Sequence, residues 1–76
     1  GASGMSLALA ADQLYMSHDL PVGSTWELLD ATGRLLKNGR IMAEKQDMIS
    51  IADLVPGTYI VRLSDGNRQE SAPFLR

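Results

Sequence analysis

Cysteine is absent from this chain, which excludes both disulfides and thiolate metal sites. Histidine occurs once, at His18, so no His-rich metal centre can form and the serines and aspartates are left without an obvious distribution of triad roles. No run approaches the roughly 18 apolar residues of a membrane helix, and direct insertion into a membrane is not expected. Gly33, Gly39, Gly57 and Gly66 fall in separate turns and never gather into a phosphate-cradling loop. No D-x-[DN]-x-[DN]-G calcium loop is present. Basic residues are missing from positions 1–33, which carry Asp12, Asp19, Glu27 and Asp30. Positions 34–76 hold all seven Lys and Arg, scattered among five acids, so the acidic total offers no nucleic-acid footprint. These gaps remove the means for catalysis, for cofactor or metal binding and for DNA or RNA binding.

What remains fits one small domain. A chain of 76 residues, 45% hydrophobic, holds one modest core; domains of this size bury only roughly 60% of their unfolded surface and are marginally stable. Gly1-Ala2-Ser3-Gly4 reads as a flexible tail or expression remnant, with the domain proper at 5–76. Turn signals recur every 8–12 residues between alternating or β-branched stretches, the pattern of a sandwich or small barrel. The predicted strands are 5–10, 13–17, 23–30, 34–38, 40–44, 47–52, 58–64 and 68–75. Two of the short central ones merge into one irregular connection, giving about seven strands and no helix.

Alternation places Trp26 and Leu28 inward and Thr25, Glu27 and Leu29 on the opposite face, so the sole Trp is expected in the core. Asp30-Ala31-Thr32-Gly33 turns the chain, with Asp30 capping backbone N–H groups and Gly33 taking the left-handed conformation, before Arg34 leads the return. Asn38-Gly39 is predicted as the next tight turn. Ile49 and Ile51 point inward. Pro56-Gly57 reads as a type II turn, with Pro56 fixing φ and Gly57 supplying the positive φ that follows. Residues 58–64 form the most strand-like segment, with Tyr59, Val61 and Leu63 inward and Ile60 on a covered or partner-facing outer side. Asp65-Gly66 is a hairpin turn, and Pro73 makes the last strand an edge strand. On that strand Phe74 is expected to anchor to the core. Arg68, Glu70, Leu75 and Arg76 are expected to face a partner, with Arg76 free to meet it. His18 is expected in a solvent-facing loop.

Two segments at fixed spacing carry a family resemblance. Leu28-Leu29-Asp30-Ala31-Thr32-Gly33-Arg34 ends a strand in Asp and follows it with a Gly-Arg turn. Leu54-Val55-Pro56-Gly57-Thr58-Tyr59 supplies a Leu-x-x-Gly-x-Tyr turn and strand, and a basic hairpin runs from Asp65 to Arg76. Together they resemble the C-terminal sorting domain of the type IX secretion system of Bacteroidetes. The front end departs from the family pattern, offering Leu14-Tyr15-Met16-Ser17 where members commonly carry a Tyr-Pro-Asn-Pro-like segment.

The resemblance implies an immunoglobulin-like β-sandwich of seven antiparallel strands, fused behind the N-terminal domains of a larger parent protein. It implies a non-catalytic signal that directs the parent through the periplasm and across the outer membrane, to the cell surface or medium. The implied partners are the outer-membrane translocon and the sortase-like protease that removes such domains and joins cargo to lipopolysaccharide. The alternative is an accessory glycan-binding or structural module of an extracellular protein. Glycan binding would need exposed aromatics side by side, and only Tyr15 remains once Trp26 and Tyr59 are assigned inward.

Overall fold

The computed structural model describes residues 5–76, so the tail assigned to 1–4 lies outside the described residues. Seven strands occur in chain order: β1 (Ser6–Ala10), β2 (Gln13–Ser17), β3 (Thr25–Asp30), β4 (Leu35–Arg40), β5 (Gln46–Ser50), β6 (Thr58–Ser64) and β7 (Gln69–Leu75). All pairings are antiparallel. They form a three-stranded sheet, β1-β2-β5, and a four-stranded sheet, β4-β3-β6-β7, packed as a sandwich. Compared with the immunoglobulin constant arrangement, the fourth strand has left the first sheet and joined β3.

The core follows from strand parity, because side chains two apart share a face. Leu14 and Met16 of β2 meet Leu28 of β3 and Val61 and Leu63 of β6, all fully buried. Tyr59 stacks on Phe74 from the neighbouring strand, ring centroids 5.6 Å apart and planes 26° apart, so Phe74 is docked at the end of the core. Ile41, Ile49 and Ile51 close the middle.

Two turns use carboxylates to occupy backbone donors. Asp30 Oδ1 accepts the Thr32 N–H, the Thr32 hydroxyl and the Arg34 N–H, while Gly33 adopts φ 90°. Asp65 Oδ1 accepts the N–H groups of Asn67 and Arg68 around Gly66. Each removes the cost of unpaired donors where the ladder stops.

The structure corrects three local expectations. Asn38-Gly39 is no turn: β4 runs unbroken through it, and the residues after it form the connection that buries Ile41. Gly39 is needed for close approach, since a Cβ there would lie 2.7 Å from Cζ2 of Trp26. Pro56-Gly57 is not a type II turn either. Gly57 has φ 159°, far from the roughly +80° that turn requires, and the corner is held by the Tyr59 hydroxyl instead. His18 does not face solvent but is 5% exposed. Its N–H extends the β2–β5 ladder to Lys45 O at 2.8 Å, and its Nδ1 accepts the Leu20 N–H at 3.2 Å as Leu20 turns into the core.

Candidate functional site

With no metal-holding cluster among the described residues, the exposed surfaces are the candidate sites, beginning with β7. Hydrogen bonding between β6 and β7 has a definite phase, because the Arg76 N–H continues the ladder to Gly57 O at 2.9 Å. Even-numbered β7 residues therefore pair with β6, and Ser71, Pro73 and Leu75 turn their main-chain groups to the free edge. Pro73, having no N–H, interrupts the donors of that edge at its centre.

The four residues expected to face a partner from β7 divide. Leu75 is exposed, at 69%. Arg68 is exposed but engaged, its Nη2 lying 3.0 Å from Asp19 Oδ1. Glu70 is half-buried and stands level with Leu63, on the core-facing side of the sheet, so it does not project outward. Arg76 is not free: its Nε donates to Leu54 O at 2.8 Å and its Nη2 reaches Asp12 Oδ1 at 3.2 Å. The cause is the Leu54–Gly57 corner, which leaves a carbonyl facing the guanidinium.

The residues of the turn motifs sit apart from one another and act on the frame. Asp30, Gly33 and Arg34 close the β3–β4 turn, where Arg34 Nε also approaches Asp30 Oδ2 at 3.2 Å. The Thr32 hydroxyl, followed by the Arg34 N–H, holds the Asp30 carboxyl below the usual range. Pro56, Gly57 and Tyr59 make the corner before β6, with the Tyr59 hydroxyl donating to Val55 O at 2.5 Å. Such a link is the tyrosine corner of immunoglobulin-like sandwiches. Its signal was present in the Leu54-to-Tyr59 string, and alternation alone could not find it because Tyr59 also reads as an ordinary inward strand residue.

The outer face of the four-stranded sheet carries an apolar row, of which alternation in the sequence places Leu29 and Ile60 there but not Leu35 or Pro73. Leu35, Leu29, Ile60 and Pro73 occupy adjacent register positions across β4, β3, β6 and β7. Above the row, Glu27 and Arg62 form a half-buried ion pair at 2.8 Å.

At the opposite margin Lys37 ties the two sheets together. Level with Leu28 on β4, it donates to Ser50 O of β5 at 2.9 Å and to Asp53 Oδ1 at 2.6 Å. The Lys37 ammonium in turn lowers the pKa of Asp53.

The aromatic platform that glycan binding would need is not assembled. Trp26 packs at the margin of the core against Gly39, whereas Tyr15 lies in the other sheet between Ala8 and Met48. Among the described residues no cluster of three or more His, Cys, Asp or Glu could hold a metal, and no helix is long and apolar enough to cross a membrane.

The family model described as the secretion system C-terminal sorting domain matches residues 10–74, which takes in β2 to β6 whole, β7 up to Phe74 and the last residue of β1. No curated protein and no solved structure matches the chain. With that match running through both sheets, the two carboxylate turns and the tyrosine corner, the chain belongs to the secretion system C-terminal sorting domain family, a non-catalytic signal for type IX secretion.

Proposed function

We propose that the folded domain is recognised after periplasmic entry by components of the outer-membrane translocon, and that sortase-like components then act on it while the parent protein's N-terminal domains pass outward. The observation supporting this reading is the extent of the family match, residues 10–74, which spans strands of both sheets rather than a short tail. Recognition on this view uses shape, main-chain groups and side-chain charge, with no bond made or broken by the domain itself. On β7 the residue best disposed to touch a partner is Leu75, since Arg76 and Arg68 are engaged within the domain.

Residues 5–76 fused behind a periplasmic reporter in a type IX-competent bacterium should bring the reporter to the surface or medium. The reporter alone should stay in the periplasm. Retention of the fusion in the periplasm, with the domain folded, would overturn the proposal.

A further inference from the structure

A sandwich of two open sheets has four edges, and they are not equally available. On β5 the ladder to β2 is phased by two bonds, His18 N–H to Lys45 O and Ile51 N–H to Asp12 O, so Gln46, Met48 and Ser50 face outward. Each of these already has one main-chain group engaged: the Gln46 N–H donates to Glu44 O, the Met48 N–H to Asp47 Oδ1, and Ser50 O accepts from Lys37 Nζ. On β7 the middle of the edge is Pro73, with half-buried Glu70 turned toward the core, both of them devices that discourage strand pairing. β1 runs beside β7.

β4 is different. The Ile41 N–H to Ser24 O bond at 2.7 Å fixes its phase, so Lys37 and Gly39 pair with β3 while Asn38 and Arg40 direct their N–H and C=O groups to the open edge. Among the described residues no hydrogen bond occupies those main-chain groups, and both residues are exposed. The edge is also basic. Arg34 pairs with Asp30 and Lys37 with Asp53, but Arg40 has only Gly23 O, at 3.1 Å, and no carboxylate.

We propose that β4 is a strand-addition edge that takes an extended, carboxylate-bearing segment of a protein of the secretion machinery. The segment would exchange main-chain hydrogen bonds with Asn38 and Arg40 and set an acidic side chain beside Arg40. Charge decides against a second copy as the occupant, because self-pairing would bring the uncompensated Arg40 of both chains into one seam and supply neither with a carboxylate. The proposal rests on the sorting role stated above.

The test uses the reporter fusion with three variants. Asn38→Pro deletes an outward donor without touching the bonds to β3, Arg40→Glu reverses the uncompensated charge, and Ser71→Pro deletes the equivalent outward donor on the already interrupted β7 edge. Melting curves of the purified domains establish folding. Delivery should fall about tenfold or more for N38P and R40E and stay at the parent level for S71P. Should N38P fail to fold, R40E alone decides. Delivery of the folded variants at the parent level would overturn the proposal, as would equal loss in S71P. A concentration-dependent dimer that protects the Asn38 amide from hydrogen exchange would assign the edge to a second copy and overturn it as well. If the unaltered fusion is not delivered, the sorting role itself fails, an outcome distinct from all of these.

Discussion

The Tyr59 hydroxyl donates to the carbonyl oxygen of Val55, four positions back, closing the corner at the entrance to β6. The same ring stacks on Phe74 of β7, so one side chain joins the connection after β5 to the last strand. Tyr59→Phe keeps the ring and deletes the bond. The loss should cost about 1 kcal/mol, the net worth of an ordinary hydrogen bond. In a domain this small that lowers the melting temperature by about 4–8 °C. A thermal melt of the variant checks it, and an unchanged transition would mean the corner is held by something else.

Gly39 should be the glycine least tolerant of a side chain. An added Cβ would meet the Trp26 ring at 2.7–2.9 Å, and the partly buried indole would have to shift from its packing against the core. Gly39→Ala is expected to destabilise by about 1–3 kcal/mol, the usual cost of overpacking. It should also shift the Trp26 emission spectrum as the ring moves. Parent-like stability with an unmoved spectrum would show that the ring does not rest on this strand.

Phe74 and Arg76 both hold the last strand, by different means. Phe74→Ala should cost about 3–5 kcal/mol, as for other large buried aromatics, which is comparable to the stability of the whole domain. Arg76→Ala should cost about 1 kcal/mol, because it strips a donor from Leu54 O and breaks an exposed pair with Asp12. Arg76→Lys should recover only part of that, lacking the fork that reaches both acceptors. Urea titrations of the three variants separate these effects, and an R76A domain as stable as the parent would show the guanidinium to be idle.

Acid should weaken the fold through three turn carboxylates. The Thr32 hydroxyl lowers the pKa of Asp30, the Lys37 ammonium that of Asp53, and the Arg68 N–H that of Asp65. In the unfolded chain these groups titrate near about 3.9. The unfolded state therefore binds protons first as pH falls. Stability from these groups is fully present above that value and is lost as pH drops through the lower folded-state values. Melting temperatures measured from pH 7 down to about 2 should fall most steeply below about 4, and D30N and D65N should flatten the curve. A parent curve that stays level across that range would refute the assignment.

Much of this architecture can be read from the chain because strands advertise themselves by period. Alternation gives the bounds of β2 and β6 to the residue, and those of the other strands to within one or two except around β4. Asn38-Gly39 misled for a specific reason. The dipeptide is the strongest local hairpin signal, yet here the glycine answers a tertiary demand, the indole of Trp26 lying across the strand. His18 and Arg76 misled because both look like solvent-seeking residues. Each is drawn in by backbone groups, Leu20 N–H for the imidazole and Leu54 O for the guanidinium, that become available only once distant segments have met. The open edge of β4 could not be foreseen at all, since hydrogen-bond phase is a property of paired strands and leaves no trace in residue type.

The bond from Arg76 to Asp12 spans 64 positions along the chain, and β7 supplies one side of the pairing that β6 needs. A polypeptide that threads a narrow channel amino end first would have β1 to β6 outside while β7 is still inside, with Tyr59, Val61 and Leu63 lacking the strand that completes their sheet. Closure of the two sheets therefore waits on β7, so a chain emerging amino end first stays open at β6 until that strand is out as well.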